Sequence, residues 1–219
     1  MNHKIYTSSK LITILTSFYG QVADRTDEIK QSLKDHMISK YFYLTYLCMA
    51  ATMLTLIWSF IVNPKKSVPF KFFLPNVIIF ELIVVTVFWS FYFTAPELIL
   101  GEIGCKPENY SLIVDLCQHL FPIFGLAVLF YETPMDHDYR RYIVNLFVSI
   151  IYTIMMHRNK VVKGSYPYGF LKKMSDIQIF VIFIPCMVAF FSAVLYGVIR
   201  LNIRTMKWKN IRELEKPRF

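Results

Sequence analysis

Apolar residues fall in long blocks along this chain, and the charges collect between them. Residues 41–62 carry no charge, and 76–94 is interrupted only by Glu81 before it ends in an aromatic run. Residues 112–131 contain Asp115 and His119, 142–156 is a shorter block between Arg141 and His157, and 177–199 closes at Arg200. A helix that crosses a bilayer needs about 20 mainly apolar residues, because its backbone must satisfy its own hydrogen bonds. The pattern therefore predicts five spanning helices. Residues 11–23 are a sixth, shorter block, below the length of an ordinary span. It reads as a thin first helix or an interfacial one. A cleaved signal is the alternative, but the Gln21-Val22-Ala23 ending lacks a small-x-small cleavage site. The expectation is an all-α, polytopic transmembrane bundle forming one membrane domain over 1–219, with a basic tail at 200–219.

Composition agrees with that class. Of 219 residues, 55% are hydrophobic and 18% charged, against roughly a quarter charged in soluble domains. The net charge of +9 would suggest nucleic acid in a soluble protein, yet here the basic residues flank membrane segments. No nucleic-acid partner is expected; the partner is the membrane. The positive-inside rule makes the 200–219 tail cytosolic. If 11–23 also crosses, Lys and Arg number fourteen on the tail side against ten on the far side; without it they tie at twelve. The rule thus favours six crossings with both termini cytosolic.

Four cysteines (Cys48, Cys105, Cys117 and Cys186) show no metal-type spacing, so neither metal nor cofactor is expected. Phosphate-loop, zinc-protease and serine-hydrolase signatures are absent from the sequence. The one glycosylation sequon, Asn109-Tyr110-Ser111, falls on the far side, too close to the next span for modification to be expected.

Candidate chemistry lies inside the bilayer, where polar groups are costly. Asp115 and His119 stand four apart on one helical face, so the carboxylate can orient the imidazole and leave its other nitrogen as a base. Pro122 should kink the same helix. A plainer reading has His119 bridging helices through hydrogen bonds. Thr45 enters its helix from the same face of the membrane as His119. At 1.5 Å per residue the two lie about 6 Å and about 10 Å from their helix starts, which allows them to meet at one depth. A hydroxyl beside such a histidine has the parts for nucleophilic catalysis.

Tyr43-Leu44-Thr45-Tyr46, Val87-Phe88-Trp89-Ser90-Phe91-Tyr92 with Glu97, His119 followed by Pro122, and Gly164-Ser165-Tyr166-Pro167 occur in that order. In this order and spacing the chain resembles the androgen-induced / androgen-dependent TFPI-regulating protein family. Its members are multi-pass threonine hydrolases of fatty acid esters of hydroxy fatty acids. The resemblance covers about 40–171 and implies Thr45 as nucleophile and His119 as its essential partner. Asp115, Glu97 and Tyr166 would orient or support them. The implied substrate is a lipid ester from the bilayer, and the implied location the endoplasmic reticulum or another endomembrane. This chain departs from the family in its short first helix and in having Asp115 where a second histidine is common. Two classes of function stay open: an intramembrane ester hydrolase, or a non-enzymatic scaffold, lipid carrier or complex subunit.

Overall fold

The computed structural model describes residues 3–23, 43–98, 111–164, 166, 168, 171 and 174–214. Cys105, the Asn109 sequon, Ser165, Pro167, the 24–40 connection and the last five residues lie outside them. The described residues contain helices and no strand: α1 (His3–Val22), α2 (Leu44–Ile61), α3 (Val68–Thr94), α4 (Leu112–His119), α5 (Phe121–Glu132) and α6 (Arg140–Lys163). A short α7 (Asp176–Gln178) then runs through a wide π turn (Ile179–Phe183) into α8 (Ile184–Leu214). The fold is the expected all-α polytopic bundle.

Four stretches are long and apolar enough to cross a membrane: Leu44–Ile61, Val68–Thr94, Leu112–Glu132 and Asp176–Trp208. The expected fifth, 142–156, is not among them, although it lies inside the 24-residue α6. The block is only 15 residues long between charged flanks, and a polar column runs through it. Arg141, Asn145, Ser149 and Thr153 recur every fourth residue and are all buried, while Ile143, Phe147, Ile150, Ile151 and Ile154 face outward. The first helix repeats the design. It is 20 residues long rather than the short piece expected at 11–23, because Lys10, Thr13, Ser17 and Gly20 form its inward stripe. Leu11, Ile12, Leu15, Phe18 and Val22 are exposed. A helix of a water-soluble bundle carries the opposite polarity. Polar-in, apolar-out helices belong where the surroundings are more apolar than the interior, as they are in lipid.

Helix α1 runs antiparallel to α4 and α5. Lys10 Nζ meets Glu132 Oε2 at 2.6 Å at one end, and Gln118 Nε2 donates to Gly20 O at 2.9 Å at the other. Between them a Cβ on Gly125 would lie 2.8 Å from Thr13, so the two backbones approach through a missing side chain. One apolar core cluster joins α2, α3 and α5 through Leu56, Phe70, Leu74, Ile78, Leu126 and Leu129. A second joins α3 to α8 through Ile79, Ile83, Phe191, Leu195 and Ile199.

Three prolines shape the helices. Helix α3 begins eight residues before the expected 76, capped by Ser67 Oγ, which accepts from Phe70 N at 3.3 Å. Pro75 therefore lies inside it. A proline there leaves the carbonyl four residues earlier without its helical donor. Arg141 repairs the loss: Nη2 donates to Lys71 O at 3.1 Å and Nε to Phe72 O at 3.3 Å. This guanidinium is 1% exposed and also binds Asp136 Oδ1 at 2.6 Å. Pro122 separates α4 from α5 at Leu120, as the sequence predicts. Pro185 follows the π turn.

Candidate active site

The bundle end that carries the start of α2, the end of α3 and the whole of α4 holds the polar residues singled out in the sequence. Thr45 is the second residue of α2 and is buried. Asp115 and His119 lie one turn apart on α4, at 0% and 6% exposure. Their immediate neighbours join the two helices: Gln118 Nε2 donates to the Tyr46 hydroxyl at 3.3 Å. Gln21 Nε2 donates to Tyr46 O at 2.8 Å, so the end of α1 closes the junction from a third side.

The break at Pro122 places the histidine. With the helix interrupted at Leu120, the amide of Ile123 donates to Leu120 O at 3.3 Å, not to the His119 carbonyl. The Trp89 indole Nε1 donates to His119 O at 3.3 Å in its place. Phe88 stacks on the imidazole with centroids 3.4 Å apart and planes 6° from parallel. The aromatic run of α3 thus forms one wall of the histidine pocket. Sequence reasoning quoted Val87–Tyr92 as a motif but gave Phe88 and Trp89 no role. An aromatic run at a helix end reads first as an interfacial anchor.

A second omission is the pair Tyr152 and Tyr168. Both hydroxyls accept from the backbone N–H of Leu44, at 3.0 and 2.9 Å, and Tyr152 donates to Tyr168 at 3.2 Å. They occupy the first orphan donor of α2, one residue before Thr45. Nothing local in the sequence links residues more than a hundred positions apart. Their one signal is a tyrosine in the middle of α6 and another just after that helix.

The remaining candidates have other partners, although Tyr152 and Tyr168 pack against the cluster that holds Tyr166. Glu97 is exposed past the end of α3. Tyr166 is 4% exposed, but its hydroxyl donates to Asp176 Oδ1 at 2.7 Å, and Lys160 sits over its ring at 4.9 Å. Lys160 also bonds the Asp176 carboxylate. Burial first, and the Asp176 carboxylate second, push the Tyr166 phenol up to about 12. Tyr166 fastens the segment after α6 to the start of α7, in a cluster with Met156, Leu171 and Ile179. The described residues contain no group of His, Cys, Asp and Glu that could hold a metal ion.

Helices that turn polar residues inward and apolar ones outward, with a buried aspartate–histidine turn at one end, define a polytopic membrane protein with an internal polar site. The model of the FAR-17a/AIG1-like protein family matches residues 5–201 of it. The chain belongs to that family, the androgen-induced gene 1 family. No curated protein and no solved structure matches the chain.

Proposed function

We propose that the protein is an intramembrane lipid ester hydrolase with Thr45 as nucleophile and His119 as general base and acid. The observation that carries this reading is the bond between Tyr46 and Gln118, which couples the helix start bearing Thr45 to the helix end bearing His119. Family membership supports it as well.

In this mechanism the Thr45 Oγ attacks the ester carbonyl of a lipid entering from the bilayer, and its proton passes to the imidazole. Collapse of the tetrahedral adduct breaks the bond to the leaving alcohol, which takes the proton from His119. Water then repeats the sequence on the acyl-threonine and releases the fatty acid. Asp115, one turn below, holds the imidazole in one tautomer. Phe88 fixes the ring plane, so the histidine keeps its aim without a flexible loop. No cofactor or metal takes part. The protein resides in the endoplasmic reticulum or another endomembrane with its basic tail in the cytosol.

A fluorophosphonate probe and a long-chain ester, applied to detergent-solubilised wild type, Thr45→Ala and His119→Ala, test the reading. Wild type is expected to label and turn over, both variants to be inert, and Thr45→Ala to melt near the wild-type temperature. Removing one hydroxyl from a helix costs little, and alanine is the better helix former. The double variant should be no worse than either single one, because residues that act as a unit are non-additive. A folded wild type inert to probe and ester, with both variants destabilised, would establish the scaffold role instead.

A further inference from the structure

Thr45 needs a donor for the negative charge that develops on the substrate carbonyl, and neither Asp115 nor His119 supplies one. On the wheel of α2, Tyr46 lies about 100° to one side of Thr45 and Cys48 about 60° to the other. The Tyr46 side meets α4 and so leads toward His119. Leu44 and Cys48 stand one turn apart on that other side, and the two phenols bond the Leu44 N–H there. Thr45 is therefore flanked by its base on one side and by paired hydroxyls on the other. That is the division of labour an acyl-transfer site requires.

Resting on the hydrolase reading above, we propose that Tyr152 and Tyr168 form the oxyanion site, with the Tyr168 hydroxyl as the group that touches the substrate's carbonyl oxygen. The Leu44 N–H and the Tyr152 O–H both point at the Tyr168 oxygen, at 2.9 and 3.2 Å. A hydroxyl that accepts two bonds is polarised into a stronger donor. The start of α2 adds the partial positive charge of a helix N-terminus. Burial pushes the Tyr168 phenol up to about 12, so it keeps its proton at neutral pH and serves as donor, not base. When the Oγ–carbon bond forms, the carbonyl π pair moves onto oxygen and is held by the Tyr168 proton, while the threonine proton goes to His119. When the adduct collapses, the pair returns to carbon, the ester C–O bond breaks and the alkoxide is protonated by His119. Tyr168 transfers nothing. The ligand class is the tetrahedral oxyanion of a long-chain carboxylic ester.

The test uses the full chain in phosphatidylcholine nanodiscs with a long-chain 4-nitrophenyl ester. Tyr168→Phe should lower kcat about 100-fold with KM unchanged, the loss typical of one oxyanion donor. Tyr152→Phe should lower kcat less, because it only polarises the donor. A Tyr168→Phe enzyme with wild-type kcat, beside an inert Thr45→Ala, overturns the tyrosine assignment and leaves the hydrolase standing. An inert wild type overturns both. If the phenylalanine variants do not fold, fluorotyrosine at 168 preserves shape while making the phenol more acidic. Then kcat should change with phenol acidity and the alkaline limb of the pH profile should shift downward. A kcat and a limb that ignore fluorination overturn the proposal, since a phenol that merely caps α2 would leave both unmoved.

Discussion

Single residues in this protein repair what proline removes. Pro75 deletes the donor that Lys71 O would have had, and Arg141 replaces it. Pro122 interrupts its helix, and the Trp89 indole takes the His119 carbonyl. In lipid such gaps are not filled by bulk water, and here the partner comes from another helix. Arg141→Ala should therefore destabilise the bundle, leaving the Lys71 carbonyl without a donor at about 1–3 kcal/mol. The sharper expectation is a coupling. In a Pro75→Ala background the restored amide donates to Lys71 O, so Arg141→Ala should cost about 1–3 kcal/mol less than it does in wild type. Thermal unfolding of the four proteins in one detergent measures this, and strict additivity would show that the guanidinium does not serve the proline break. The apolar pattern started this span at 76, which left Pro75 in the preceding loop. The guanidinium that lets α3 start at Val68 lies 66 positions further along the chain.

Among the elements, legibility followed apolar content. Helices α2 and α3 end within a residue of their expected limits at 62 and 94, because their few polar residues leave each apolar run long enough to read. Helices α1 and α6 were underestimated, because their polar residues face inward and dilute each apolar run. Yet the signal was in the sequence. Asn145, Ser149 and Thr153 repeat at four, as do Thr13 and Ser17, and such a stripe within a membrane chain marks an inward face. The buried pair between α1 and α5 gives a test of that packing. Lys10 Nζ lies 2.6 Å from Glu132 and 5.8 Å from the Phe60 ring centroid. Lys10→Ala should cost about 1–3 kcal/mol, less than breaking a fully buried pair because the Glu132 side chain is 21% exposed. Lys10→Met with Glu132→Leu should recover most of that loss, since replacing a buried pair by apolar residues of similar size is close to neutral. Melting temperatures of wild type and both variants decide it: a harmless Lys10→Ala would mean that α1 does not dock through this pair.

At the scale of the whole molecule, height along the helices was more legible in the sequence than rotation about them. Depth along the helices was enough to bring Thr45 and His119 to one end, because a spanning helix fixes height by residue count alone. Rotation about each helix axis, which decides that Tyr152 and Tyr168 reach Leu44 while Glu97 faces outward, depends on packing between distant segments. The same height argument reaches the topology. Helix α1 spans the bundle from the Lys10–Glu132 end to the Gly20–Gln118 end. If it crosses the membrane as its packing suggests, both termini share a face, and the basic excess of fourteen against ten falls on the cytosolic side. Single cysteines introduced at Ile5, Lys65 and Arg204 of a cysteine-free variant should then react with an impermeant maleimide added to the cytosolic face of sealed vesicles. A cysteine at Glu97 should react only from the opposite side. If position 5 labels together with position 97, α1 does not cross, and water for the acyl-enzyme step would have to be sought with both the N-terminus and the Thr45 end of the bundle on one face.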